Sequence, residues 1–253
     1  MLHPAVSSTM RSNQAYCGQL AQKQVLDWGV AYCSPTWAGL AEANQFREVV
    51  VADADSAEQA CAAVEAYYRG QGARCRRWAP AAGQDAEPLA GVLAGHGFRR
   101  RETSILALER WPEPCQGPGP RILPARAMRQ AYRATFGPST DPGGAEVYAD
   151  AAVERLDDAS LDAFVALQGD RPLGRAALLQ VGDIGRVVGI AVLPHARRRG
   201  VGTALLHHVL KLARRLAVRT VCAQVDAEPA GPLGFLERLG FAVVGRATEF
   251  DAE

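Results

Sequence analysis

Residues 186–193, Arg-Val-Val-Gly-Ile-Ala-Val-Leu, are apolar at neighbouring as well as alternate positions. A strand of that kind is covered on two faces. Downstream the period changes. Val201, Leu205, Val209, Leu212 and Leu216 recur at helical spacing, Leu206, Leu210 and Ala213 widen the stripe, and Thr203, His207, Lys211 and Arg214 share the opposite face. The pattern predicts an amphipathic helix laid on a sheet and beginning near Thr203. A second apolar run (218–225), a Pro/Gly-rich turn, a short helix closing on Leu239-Gly240 and a last strand (241–248) follow.

Earlier in the chain the same periods alternate. Residues 46–52 read as a strand, Asp53-Ala-Asp-Ser56 supplies N-cap chemistry, and 57–69 form a helix with Cys61, Val64 and Tyr68 on one side, ended by Gly70 and Gly72. Residues 74–80 predict a strand, 87–96 a short helix, and 98–108 a strand opening with Arg99, Arg100 and Arg101. Residues 1–15 lack periodicity and are expected to be loose or draped over the surface. Residues 14–28 carry only a weak helical pattern, followed by an apolar piece, 29–33. Four prolines and two glycines in 111–120 can continue neither ladder nor helix, so a boundary is expected there, dividing 1–114 from 120–253. Beyond it the pattern predicts a short strand (121–123), a helix (125–136), a loop (137–144), a helix (145–156), and strands 162–168 and 173–180 leading back to the 186–193 strand. Leu93-Ala-Gly-His-Gly97-Phe98 is echoed 143 residues later by Leu236-Glu-Arg-Leu-Gly240-Phe241. The echo points to a reduced copy of one fold in the first half, the alternative being an unrelated α/β domain.

Composition narrows the class. A net charge of +1 over 253 residues argues against a nucleic-acid binder, which needs a marked basic excess. The six cysteines (Cys17, Cys33, Cys61, Cys75, Cys115 and Cys222) form no C-x-x-C pair and have no His at metal-ligand spacing, so no metal and no disulfide framework is expected. No apolar segment reaches the roughly 18 residues of a membrane span, which points to a cytoplasmic protein.

The chemistry concentrates between the central strand and its helix, in Pro194-His195-Ala196 and then Arg197-Arg198-Arg199-Gly200-Val201-Gly202-Thr203. The first N–H groups of a helix have no internal partner and carry the positive end of its dipole, so an anion placed there gains several hydrogen bonds. Gly200 and Gly202 leave room for that anion to reach the main chain. Strand, Pro, Arg-x-x-Gly-x-Gly, helix, strand and a short helix closing on Leu239-Gly240-Phe241 together resemble the GNAT N-acetyltransferase superfamily.

The resemblance implies an α/β (α+β) fold, a twisted mixed sheet flanked by helices and splayed between its fourth and fifth strands. The first half would be a smaller, degenerate GNAT-like domain without the arginine-glycine motif. It further implies acetyl-CoA as co-substrate. Arg197, Arg198, Arg199, Gly200, Val201, Gly202 and Thr203 would lie on the pyrophosphate, and the main chain of Ile190, Ala191 and Val192 on the pantetheine arm and the thioester carbonyl. The implied reaction is direct attack by the amine of a small molecule. The alternative is a catalytically inactive CoA-binding regulatory or scaffolding protein. Catalytic residues do not carry over: Leu236 follows Phe235 where the family commonly has Tyr, and Pro229 stands near the place of a common Asn. Asp226, at a strand end, is a proton relay or a plain surface aspartate, and His195 a base or an ordinary loop histidine. Cys222 reads as core. Glu146, Asp150, Glu154 and Asp157 form an acidic helical stripe that is either a lure for a cationic acceptor or a solvated face.

Overall fold

The structure, a computed structural model, describes residues 3–113, 119–137, 144–228 and 230–252. Part of the expected linker (114–118, with Cys115), the loop residues 138–143, and Pro229 lie outside the described residues. The first half runs α1 (Pro4–Gly18), β1 (Gln22–Leu26), β2 (Gly29–Cys33), β3 (Gln45–Val49), α2 (Ala54–Gly70), β4 (Arg77–Pro80), α3 (Glu87–Gly95) and β5 (Phe98–Leu108). The second runs β6 (Arg121–Pro124), α4 (Arg129–Arg133), α5 (Gly144–Glu154), β7 (Leu161–Gln168), β8 (Arg171–Val181), β9 (Ile184–Val192), α6 (Val201–Arg215), β10 (Thr220–Asp226), α7 (Ala230–Arg238) and β11 (Phe241–Ala252).

All eleven strands join one mixed sheet in the order β1-β2-β3-β4-β11-β5-β10-β9-β8-β7-β6. Each half contributes an antiparallel run, β1-β2-β3 and β7-β8-β9, followed by a parallel neighbour, β4 and β10. The next strand outward is then borrowed. β11 pairs with β4, β5 pairs with β10, and β5 and β11 pair with each other along their length, from Phe241↔Leu108 to Ala252↔Phe98. The two halves therefore exchange their last strands about a pseudo-twofold centre. Gly97 and Gly240, the echoed glycines, both take positive φ where a helix turns into the exchanged strand. At Gly240 a Cβ would stand 1.9 Å from the Arg110 carbonyl oxygen, which fixes glycine there. The proline-rich stretch marks a change of half along the chain, while the sheet runs unbroken between them.

Strand residues alternate between two covered faces. Phe164, Ala166, Leu178 and Val187 pack with the apolar stripe of α6, while Ala163, Ala177, Leu179 and Val188 pack with Tyr132, Ala152 and Leu156 on the other side. In the first half, Ala31, Cys33, Phe46 and Trp78 pack under α2 and α3, and Val30 and Tyr32 under Cys17 of α1. Burying one fully covered aliphatic side chain stabilises the fold by about 1.5–3 kcal/mol, so these layers dominate its stability.

The N-terminal segment differs from expectation. Residues 4–18 are helical, with Ala5, Val6, Ser8, Thr9, Ser12, Asn13 and Cys17 buried. This face is made of small hydroxyl residues rather than Leu or Ile, so hydrophobic periodicity cannot see it. Two of its hydroxyls are satisfied within the helix, Thr9 Oγ1 donating to the Ala5 carbonyl (2.8 Å) and Ser12 Oγ to that of Thr9 (2.7 Å). The helix packs against β5, β8, β9, β10 and β11, across the exchange. The helix expected over 125–136 is instead a 3₁₀ turn (Ala125–Ala127) followed by the short α4.

Candidate active site

Strands β9 and β10 pair only from Thr220↔Ile184 to Ala223↔Val187. Beyond that point β9 stays with β8 as far as Val192↔Gly174, and β10 stays with β5 as far as Asp226↔Thr103. The sheet therefore opens, and the β10-facing edge of residues 188–192 has no strand partner among the described residues. In the same stretch Arg175↔Ala191 and Ala177↔Val188 leave Gly189 and Ile190 opposite the single residue Ala176. This is a bulge, with Gly189 at φ 62°. A bulge leaves an extra residue off the ladder and bends its strand. Ile190, Ala191 and Val192, assigned to the thioester arm from sequence, lie on this open edge.

At the far end of β9 the chain makes a 3₁₀ turn, Pro194–Ala196, held by the Ala196 N–H donating to the Leu193 carbonyl (2.9 Å) and by complete burial of the Ala196 side chain. Arg197, Arg198, Arg199 and Gly200 follow on the surface. Arg198 takes φ 59°, and Gly200, the N-cap of α6, takes φ 76°. No side chain caps α6, and a Cβ placed on Gly200 would meet nothing within 4 Å. The space over the helix start is thus open, with Val201 beneath it in the core. Gly202 faces Val192 and Phe235, whose atoms would stand 3.4 and 3.5 Å from an added Cβ, so a larger side chain there would close the gap between α6 and α7. Arg197 Nε donates to the Val192 carbonyl (3.2 Å) and Arg199 Nη2 to Gln168 Oε1 (3.3 Å), which ties the loop to β9 and β7. Arg197 to Gly200 thus form an exposed turn leading into the uncapped start of α6 at Val201–Thr203, the arrangement an anionic ligand needs.

A cavity of about 520 Å³ opens at the splay, on the face carrying α1. Its lining comes from both halves, and it is polar. Glu249 of β11, 3% exposed, receives Arg101 (2.7 Å), Arg47 (3.5 Å) and Arg77 (3.7 Å). Burial opposes its ionisation, but these guanidiniums outweigh burial and pull its pKa down to about 2. Glu42 pairs with Arg155 (2.6 Å) and accepts the Tyr148 hydroxyl (2.5 Å). Burial would push its carboxyl up, yet Arg155 and Tyr148 together hold it below the usual range. The Glu42 charge, with burial, keeps Tyr148 protonated far above an ordinary phenol. Asn13 Nδ2 donates to Gln224 Oε1 (3.0 Å), and Gln224 Nε2 to Thr103 Oγ1 (2.8 Å), closing the floor.

The other sequence candidates separate cleanly. Asp226 lines the cavity mouth, 3.3 Å from Arg101. Leu236 also lines it and is 1% exposed, so the position offers packing and no proton. His195 is exposed on the arginine turn, outside the cavity lining. Cys222 is fully buried against α1, and burial raises its thiol, which makes it core. Glu146, Asp150, Glu154 and Asp157 are all exposed; Asp150 is paired with Arg133 (2.6 Å) and Asp157 with Arg129, while Tyr148 and Arg155 point inward from the same segment. The acidic stripe is therefore a solvated face. Among the described residues no three His, Cys, Asp or Glu gather in a metal-binding group, and no helix is long and apolar enough to cross a membrane. Sequence reading missed Glu42, Arg47, Arg77, Arg101 and Glu249. The available signal was a charge inside an otherwise buried strand, as in Phe46-Arg47 and Glu249-Phe250.

Residues 125–241 match the family model described as Acetyltransferase (GNAT) family, so this part of the chain is a GNAT domain. Solved structures extend the likeness over the first half as well. The GCN5-related N-acetyltransferase from Kribbella flavida is 16% identical and aligns over 100% of this chain and 96% of its own, with a TM-score of 0.68. A functionally unknown conserved protein from Staphylococcus epidermidis ATCC 12228 is 14% identical over 91% of this chain and 93% of its own, with the same TM-score of 0.68. The GCN5-related N-acetyltransferase from Sphaerobacter thermophilus is 18% identical over 98% of this chain and 91% of its own, with a TM-score of 0.57. At such identities the likeness is one of fold. No curated protein matches the sequence.

Proposed function

We propose that the protein is a cytoplasmic acetyl-CoA-dependent N-acetyltransferase acting on a small-molecule amine, with the first half serving as one wall of the acceptor site. The observation that carries this reading is the junction of three features: an uncapped helix start at Gly200, an unpaired edge on β9, and a two-sided cavity at the point where β9 leaves β10. Acetyl-CoA, when bound, supplies an activated acetyl thioester. The N–H groups at Val201, Gly202 and Thr203, with Arg197, Arg198 and Arg199, would hold its pyrophosphate, and the main chain at Ile190, Ala191 and Val192 would hold the pantetheine arm.

The chain's own contribution is mostly alignment. Amide formation requires a neutral amine against the carbonyl, a donor for the developing oxyanion, and a path for two protons. The N–H groups at the bulge are the natural donors, since the bulge takes them off the β8 ladder. Well-oriented intramolecular reactions reach effective molarities of about 10⁵–10⁸ M, so an aligned pair of reactants is fast with modest acid–base help. Asp226, at the cavity mouth, is the group placed to take the amine proton. With Leu236 buried, the departing thiolate takes its proton from water. The decisive experiment follows free thiol release from acetyl-CoA with a panel of amines. Amine-dependent release supports the transferase. Binding of acetyl-CoA with no release for any amine would support a CoA-binding regulatory or scaffolding protein instead, the reading that the buried Leu236 favours.

A further inference from the structure

We propose that the cavity recognises an anionic group on the acceptor through Arg186, so that the substrate is an amine that also carries a carboxylate; this rests on the transferase reading above. The cavity's cations can be matched one by one. Arg47 and Arg77 share Glu249, and Arg101 reaches Glu249, Asp226 and Asp251. Arg186, which lines the cavity from β9, has no carboxylate within 4 Å among the described residues. Its Nη1 donates to Asn13 Oδ1, Tyr16 lies 5.9 Å away, and its Nε is buried without a partner.

The contrast with its neighbours is physical. Arg155 and Arg175 also keep unbonded buried nitrogens, but neither lines the cavity. Arg155 has Glu42 and the Tyr16 ring, and Arg175 donates to the Thr135 carbonyl (2.6 Å) over the Phe136 ring. Against the effect of burial, Glu249 and Asp251 hold Arg77 above the ordinary arginine value and Tyr16 and Glu42 hold Arg155 there, whereas burial pulls Arg186 below it. A partly buried guanidinium that no carboxylate contacts, Glu249 reaching it only through space, is costly, and a cavity wall is where a ligand can supply the contact. Asp226, on β10, would meet the amine, while Arg186, on β9, would receive the opposite charge within the same cavity. A polyamine without an anionic group would leave Arg186 unmatched.

The test is binding to the full chain saturated with CoA, measured by calorimetry with 4-aminobutyrate, 6-aminohexanoate, lysine and glutamate, each beside its carboxamide counterpart. The wild type should bind at least one carboxylate tenfold or more tightly than its amide. Arg186→Gln should abolish that preference, and Arg186→Lys should retain part of it. Arg186→Gln should melt no lower than the wild type, because it removes a partly buried charge that no carboxylate contacts, whereas a purely structural arginine would lower the melting temperature. Equal affinity for carboxylates and amides, an undiminished preference in Arg186→Gln, or no binding of any carboxylate overturns the proposal. Should Arg186→Gln fail to fold, the wild-type comparison and Arg186→Lys still decide. Turnover of amides without a carboxylate preference would sink this inference alone; an Arg186-dependent preference without thiol release would sink the transferase alone.

Discussion

Helices α2 and α6 occupy corresponding places in the two halves, each leaving a strand that pairs in parallel with the strand after the helix, and they treat their exposed starts in opposite ways. At α2 the Asp53 carboxylate accepts the Ser56 N–H (2.8 Å), the Ser56 hydroxyl accepts the Asp53 N–H (3.0 Å), and Asp55 adds a second negative charge. At α6 the cap is Gly200, no side chain bonds the first turn, and three arginines precede it. The neighbouring strands differ in step. β3 and β4 stay paired to their last residues, Val49↔Pro80, while β9 and β10 part after Val187↔Ala223. One framework thus yields an open, uncapped helix start or a sealed one, according to the residue at the cap and whether the next strands separate.

Cutting the two halves apart should have the largest effect. A chain of residues 120–253 lacks β5, the partner of both β10 and β11, and should fail to give a cooperative melt by circular dichroism; a sharp transition would show that the halves are separable. Next, Gly200→Glu or Gly202→Phe should weaken acetyl-CoA binding at least 100-fold by calorimetry, because the first fills the space above the first turn and the second fills the gap between α6 and α7 beside Val192. Gly200→Glu also places a non-glycine residue at positive φ, a strain of about 1 kcal/mol, so its fold should persist. Unchanged affinity in either variant would remove the distinction drawn between the helix starts. Glu249→Gln leaves three guanidiniums short of their shared acceptor, a loss of about 3–5 kcal/mol in denaturant titration. Because folding depresses the Glu249 pKa from 4.5 to about 2, its contribution is complete above pH 4.5 and is lost as pH falls through about 2. The wild type should therefore lose stability over that window more steeply than Glu249→Gln. The smallest effect is Asp53→Ala, about 1 kcal/mol of stability through loss of the cap, with acetyl-CoA affinity unchanged. A change in that affinity would mean that α2 contributes to the ligand after all.

The local structure of the turn proposed to hold the cofactor was legible in the sequence because it depends on local order: strand, turn, glycines, amphipathic stripe. The turn from Arg197 to Thr203 and the strand Phe98–Leu108 lie where the pattern puts them. The acceptor end was not, because its residues come from α1, β3, β4, β5, β9 and β11 and meet only through the exchange of strands. No local period records that Glu249 will sit beside Arg47. Helix α1 escaped for another reason, since its buried face of Ser8, Thr9, Ser12 and Asn13 looks solvent-exposed to any hydrophobicity pattern.

That helix has one more consequence. Its Asn13 bonds Gln224, 211 residues further along, so the pocket floor joins segments separated by most of the chain. Contacts of such sequence separation form late in folding, once the intervening loops have closed. The pocket therefore exists only once segments from both ends of the chain have met, so its competence to bind depends on the integrity of the whole polypeptide.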